Sequence, residues 1–224
     1  MDGTVTVLRS AISPGLLLRP WTEQDVPAMV AAYRDPVMRH WLRHPVTTAE
    51  EARWIIQARG ADRRAGTGFS FAVFQADVDG VAGDLVGGVS IRRLDHEAVS
   101  GEVGYWVTAS SRGQGIAPRA LNAACDWAFR LPRRRPLEQL ELIHAVGNHA
   151  SCRVADKARF ALTGVLPPLL PEFPNDGHLH IRLARVRRCR RCAGRRPTRA
   201  PWSRPGNEFL VLEPKAKRPD TRAI

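Results

Sequence analysis

The six residues Arg112-Gly113-Gln114-Gly115-Ile116-Ala117 have the types and spacing to hold an anion. They follow a strand-like run at 102–108 and open an apolar-periodic segment reaching about Phe129. Strand, short polar turn and helix in that order aim several backbone N–H groups at one point, where a phosphate fits. Gly113 and Gly115 allow a close approach to the backbone and permit positive φ. Arg112 adds a forked, permanent cation. A helix N-terminus alone contributes about 0.3–2 kcal/mol to anion binding, so amides and arginine must act together. A P-loop is excluded because no GxxxxGK[ST] lysine follows, and Pro118 stands where the GxGxxG fingerprint needs glycine. Pro118 itself suits a first helical turn. The plain alternative is an ordinary glycine-containing connection into a surface helix.

Four more side chains could do chemistry. Glu102 lies in the strand ahead of the loop and shares a face with Gly104 and Trp106 by alternation; it is a candidate base or a structural carboxylate. His144 falls in a later strand and is of a type that titrates near neutrality, although such a residue is more often a satisfied core histidine. Asn148 and Ser151 precede a short helical segment, which Asn148 could cap.

The elements that must position these residues read as β(16–21), α(23–34), α(47–59), β(68–75), β(85–93), β(101–108), α(115–130), β(138–146), α(150–159), β(160–166) and β(178–184). Thr47-Thr48-Ala49-Glu50 reads as a capping box in which Glu50 and Glu51 compete, and the charged stretch 59–66 ends that helix. Ile116, Ala120, Leu121, Ala124, Cys125 and Ala128 form a helical stripe. Residues 77–84, with Gly80 and Gly83, read as a hairpin turn. Strands running between helices imply a mixed α/β sheet covered on both faces.

Arg-x-x-Gly-x-Ala at 112–117 resembles the pyrophosphate-binding signature of the GNAT superfamily of acyl-CoA-dependent N-acetyltransferases. "LRPWTEQD" at 18–25, "GEVGYWV" at 101–107 and the unit at 142–165 are similar, in that order, to its RimJ/RimL branch, which acetylates protein N-termini. The resemblance spans roughly residues 14–184. It implies an α/β (α+β) fold with a mixed, mostly antiparallel seven-stranded sheet, splayed between central strands, with helices on both faces. It also implies direct acetyl transfer from acetyl-CoA, the co-substrate, to a primary amine, without a metal. Residues 112–117 would then hold the pyrophosphate, and an interruption at Tyr105, Trp106 and Val107 would supply an oxyanion donor. Asn148 would approach the pantetheine arm and Ser151 would reach the sulfur, leaving Glu102 as the proton acceptor. One departure stands out: Arg159 occupies a position that the family usually gives to glycine, and is strained if φ is positive there.

An α-amine with pKa about 7.8 costs roughly 1 kcal/mol to deprotonate at pH 7, and a lysine about 4.6 kcal/mol. With no strong base evident, a protein N-terminal α-amine is the expected acceptor; an aminoglycoside or other small amine is the alternative. Residues 33–45, with His40, Trp41 and His44, would line the acceptor groove, although core packing also explains Trp41. Arg133-Arg134-Arg135 reads first as a solvated loop.

The net charge of +12 is not spread evenly. Residues 185–224 hold 13 of the 34 Lys+Arg and 3 of the 22 Asp+Glu, leaving 21 basic against 19 acidic in residues 1–184. The basicity therefore belongs to a Pro-containing tail, expected to be disordered, after a 14–184 domain and a 1–13 extension. Weak RNA or ribosome contact would suit such a tail, and a degenerate domain acting only through it is the binding-module alternative. Cys189-x-x-Cys192 is half of a zinc spacing with no second pair following in the tail. No apolar run reaches 18–20 residues and residues 1–14 lack a secretory layout, so a cytoplasmic monomer or homodimer with reduced cysteines is expected.

Overall fold

The computed structural model describes residues 5–7, 15–42, 46–77, 81–95, 97–170 and 173–184. The basic tail, Cys189, Cys192 and His44 lie outside the described residues. Eight strands form one sheet in the order β1-β2-β3-β4-β5-β6-β8-β7. They are β1 (Val5–Val7), β2 (Gly15–Pro20), β3 (Phe69–Ala76), β4 (Ala82–Arg92), β5 (Ser100–Val107), β6 (Gln139–Ala145), β7 (Ala161–Leu166) and β8 (Gly177–Leu183). Seven match the sequence reading. The eighth, β1, comes from the segment read as an extension and pairs antiparallel with β2. Among the described residues only β5 and β6 pair in parallel.

Strand alternation sends side chains to two cores. Phe71 and Val73 join Leu16, Leu18, Ile91, Val103, Leu140 and Leu142 under α4 (Ile116–Ala128) and α5 (His149–Lys157). Ala72 and Phe74 join Trp21 under α1 (Val26–Ala32), α2 (Pro36–Trp41) and α3 (Ala49–Ala65). The α4 stripe of Ile116, Ala120, Leu121, Ala124, Cys125 and Ala128 is buried as its spacing requires. Burial raises the Cys125 thiol to about 12, which leaves it protonated and inert.

The expected helix at 23–34 is a turn followed by α1, and a further helix that the sequence reading did not include, α2, comes after it. A turn at Glu23–Asp25 leads into α1, and Asp35-Pro36 starts α2, with Asp35 Oδ1 accepting from Val37 N at 3.0 Å. That cap followed by proline is a helix start in its own right. Helix α3 also runs on past Arg59, to Ala65, and ends at Gly66 with φ 72°. Its arginines are accommodated because their guanidinium groups lie over aromatic rings: Arg59 over Trp21, and Arg63 over Phe69 and Phe71. At its start Glu51, not Glu50, completes the capping box. Among the described residues no helix is long and apolar enough to cross a membrane.

Candidate functional site

The sheet opens where its parallel pair stops. β5 and β6 are in register from Ser100↔Gln139 to Val103↔Leu142, and there the pairing ends. Both strands nevertheless continue, each held by its outer neighbour. β5 pairs with β4 through Tyr105↔Val89, Trp106↔Gly88 and Val107↔Gly87. β6 pairs with β8 through His144↔His178 and Ala145↔Gly177. The inner edges from Gly104 and Ile143 onward bound a wedge. The expected splay between central strands falls at this point: β5 keeps its ladder with β4 without a register shift and parts only from β6 after Val103. Thr108 N donates to Val86 O of β4 at 3.0 Å. Alternation then turns the N–H groups of Tyr105 and Val107 toward the open edge.

Trp106 fixes β5 on the far side of that edge. Its ring stacks on Trp21, centroids 6.0 Å apart, and meets Tyr33 edge-on at 5.6 Å. A Cβ at Gly88 would lie 2.7 Å from the Trp106 Nε1 atom, and one at Gly87 would lie 2.4 Å from its carbonyl oxygen. Glycine is therefore required at both positions for the strands to meet.

Because β5 and β6 are parallel, α4 and α5 start at the same end of the sheet, flanking the wedge. Gly113 and Gly115 take φ 78° and 71°, and an added Cβ at either would meet nothing within 4 Å. The loop is exposed from Arg112 to Gly115, while Ile116 and Ala117 are buried. Among the described residues no backbone carbonyl outside the helices and strands takes the N–H of Gly113, Gln114 or Gly115. The first amides of α4 are open for the same reason every helix start is. The loop is thus an outward-facing set of donors with room for an anion.

On the α4 side of the wedge Tyr105 Oη donates to Ser151 Oγ at 3.0 Å, which brings together residues 46 apart. Burial raises the Tyr105 phenol above its ordinary value, outweighing the Ser151 bond, so it stays a donor at neutral pH. Asn148 Oδ1 accepts from Ser151 N at 3.2 Å and caps α5, leaving its amide nitrogen available.

A model of the acetyltransferase (GNAT) domain matches residues 15–161. The chain belongs to the GNAT acetyltransferase family. The ribosomal-protein-serine acetyltransferase of Escherichia coli K12 is 28% identical over 138 residues, covering 62% of this chain and 71% of that one. Among solved structures, Mycobacterium smegmatis RimJ, in complex with CoA-disulfide, superposes with a TM-score of 0.68 and 25% identity, covering 82% of this chain and 88% of that one. RimL, the ribosomal L7/L12 α-N-protein acetyltransferase bound to coenzyme A, gives 0.67 and 24%, with 80% and 97% covered. The protein is accordingly an N-acetyltransferase related to the ribosomal-protein enzymes.

In this GNAT enzyme two charged residues picked from sequence are already engaged. The Glu102 carboxylate, on a residue 9% exposed, pairs with Arg92 across the β4–β5 ladder and with Arg93 Nε at 3.4 Å. Each guanidinium takes one of the two carboxylate oxygens. The Arg112 guanidinium pairs with Asp35 of α2. It is therefore not simply a free cation awaiting phosphate.

Two further placements, those of Trp41 and Arg133, differ from expectation. Trp41 is 37% exposed rather than core; its ring packs edge-on to His40, and its Cη2 atom would lie 3.9 Å from a Cβ at Gly147, in the turn before Asn148. Arg133 is not solvated, since it donates to the carbonyls of Leu94, Asp95, Ala98 and Arg135. Arg134 keeps an exposed pair with Glu97.

His144 is not alone. Cross-strand register places it opposite His178 on the face that also carries His180, and Cys152 of α5 reaches over them. His144 Nε2 lies 3.1 Å from His180 Nε2, and Cys152 Sγ lies 3.3 Å from His178 Nδ1. Burial lowers the pKa of His144 and of His180, and the neighbouring imidazoles lower both further, so the two rings are neutral at pH 7. The His-x-His spacing at 178–180, alternating as a strand, was the sequence signal for this cluster.

Proposed function

We propose that this acetyltransferase moves acetyl from acetyl-CoA directly to the α-amine of a protein or peptide N-terminus. The observation that carries the reading is the wedge after Val103↔Leu142, with open donors on the loop that continues β5. Acetyl-CoA supplies an activated thioester. Among the described residues no backbone carbonyl outside the helices and strands takes the amides of Gly113, Gln114 and Gly115, and the two glycines leave open space beside them, so a diphosphate could dock with little rearrangement. Asn148 would hold the pantetheine amides through its free nitrogen. The N–H groups of Tyr105 and Val107 point where a carbonyl oxygen gains charge during attack. Ser151 would pass its proton to the departing thiolate while taking one from the Tyr105 hydroxyl that donates to it.

The acceptor is chosen on proton cost. Glu102 is held by two arginines and the two buried histidines are weak bases, which favours an amine that is partly neutral already. An α-amine needs about 1 kcal/mol at pH 7 against roughly 4.6 for lysine. Trp41 and His40, beside the turn at Gly147, are placed to contact the incoming chain. The related Escherichia coli enzyme, named for a ribosomal-protein serine, favours the same acceptor class.

The test is mass spectrometry of peptides with free or blocked N-termini, incubated with the full-length enzyme and acetyl-CoA, beside calorimetry of acetyl-CoA binding. Saturable binding with acetyl on the terminal nitrogen is expected. Acetylation confined to lysine side chains or small amines would replace the acceptor; absence of acetyl-CoA binding would remove the site.

A further inference from the structure

We infer that His144, Cys152, His178 and His180 form a zinc site beside the wedge. One ligand atom from each lies within 4.8 Å of every other. Tetrahedral zinc at about 2.0–2.1 Å from nitrogen and 2.3 Å from sulfur sets its ligands roughly 3.3–3.7 Å apart. Two of the contacts, at 3.1 Å and 3.3 Å, are near that already, and no pair has to contract by more than about 1–1.5 Å. Three imidazoles and one thiol, with no carboxylate in the set, match a borderline-soft ion rather than magnesium or calcium.

Three features make the set more than a chance meeting. It draws on three elements, β6, β8 and α5, whose register is fixed by the sheet ladder. His144 Nδ1 lies 2.9 Å from Ala145 O, so it carries the proton and leaves Nε2 as a lone pair facing the cluster. Carbonyl support of this kind is the usual arrangement behind a metal-bound imidazole. His180 is 4% exposed, and the other three are half-buried, leaving a route for the ion.

Binding releases the Cys152 proton to solvent and forms one Zn–S and three Zn–N bonds, with no change of oxidation state. Four protein ligands leave no open position, so the ion acts as a staple. It joins α5, the helix that carries Ser151, to β6 and β8, the strands that bound the β6 side of the wedge. The site does not depend on the acetyl-transfer reading.

The experiment uses full-length protein with Cys189→Ser and Cys192→Ser, so that the tail thiols cannot bind metal, after treatment with a chelator. Cobalt titration should give the intense visible bands of a tetrahedral ion, with a thiolate charge-transfer band, saturating at one equivalent. Zinc should displace the cobalt and protect Cys152 from iodoacetamide. It should also raise Tm by more than about 5 °C at a hundredfold excess over its dissociation constant. Cys152→Ser should abolish the charge-transfer band, and Cys152→Ser or His178→Asn should weaken zinc by at least about 100-fold. Octahedral cobalt spectra, or zinc that leaves Cys152 open to alkylation, would overturn the site without needing either variant to fold.

Discussion

Asp35 uses both carboxylate oxygens for different ends: Oδ1 caps helix α2 through Val37 N, and Oδ2 pairs with Arg112 in the glycine loop. One side chain therefore ties α2 to the donors that open α4, across 77 residues of sequence. It also sets a negative charge beside the position proposed for a diphosphate. The two partners should act on the cofactor with opposite sign. Arg112→Ala is expected to raise the acetyl-CoA dissociation constant about 10-fold, the scale of one charge-assisted contact. Asp35→Asn keeps the cap, because asparagine is as good there, and frees the guanidinium. It should tighten acetyl-CoA two- to fivefold, about what a partly exposed pair is worth. Calorimetry on both variants decides it, and weakening in both would show that Arg112 only anchors α2.

Glu102 is expected to behave as half of a buried-end ion pair. Its partners Arg92 and Arg93 are at least half exposed, so screening limits the pair to about 1 kcal/mol. Glu102→Gln should lower stability by about that amount in urea melts. It should leave the acidic limb of the kcat–pH profile in place, and a limb that disappears would restore Glu102 as the base.

Arg159 has φ 65° at the end of α5. Phe160 N reaches back to Ala155 O and Arg159 N to Asp156 O, each at 2.9 Å, the paired bonds of a Schellman turn. That turn places a left-handed residue at position 159, where an arginine costs about 1–2 kcal/mol relative to glycine. The strain is local and the turn intact, so the unusual residue does not dismantle the site. Arg159→Gly should raise stability by about 1 kcal/mol, or Tm by about 2–4 °C, in a calorimetric scan. No gain would mean that the arginine side chain makes compensating contacts.

What could be read from sequence divides by range. Gly113, Gly115 and the α4 stripe were legible because loop and helix signals lie within one turn of one another. The same local logic gave seven strands and the Asn148 cap. The commitments of Glu102 to Arg92 and Arg93, and of Arg112 to Asp35, were not legible. Cross-strand and helix-to-loop pairings depend on register, which one sequence without a structure does not supply. His144 was weighed alone for the same reason: its partners on β8 are 34 and 36 residues away and meet it only through the β6–β8 ladder. β1 was overlooked because a three-residue strand carries too little periodicity to register.

Asp25 gives the domain a defined response to acid. Burial raises its pKa, but two bonds from Arg19 at 2.7 Å, with Thr22 N at 2.8 Å and Thr22 Oγ1 at 3.1 Å, outweigh burial and hold it below the ordinary carboxylate value. A depressed folded-state pKa adds stability that is complete above the unfolded value near 4 and is lost as pH falls through the folded one. Asp25→Asn should therefore cost about 1–2 kcal/mol at pH 7, and its urea midpoint should approach that of the parent as pH drops below about 4. Parallel curves at every pH would assign the acid response to other carboxylates.

The Tyr105–Ser151 contact makes the most direct claim on chemistry. Tyr105 donates to Ser151, so the serine proton is not used in that bond, and the raised phenol pKa keeps the phenol protonated through the physiological range. If this pair protonates the leaving thiolate, Ser151→Ala should reduce kcat by about 100-fold or more, the usual scale for one positioned acid. Tyr105→Phe should lose less, because the serine hydroxyl remains and only its support is gone. The double variant should be little worse than Ser151→Ala alone, since the two act as one unit. Acetyl-CoA affinity should be nearly unchanged in all three, which separates a chemical role from a binding one. Neither hydroxyl titrates below about pH 10, so the parent enzyme should show no fall in kcat on the alkaline side up to about pH 9. A falling alkaline limb that survives Tyr105→Phe would place the acid on another group.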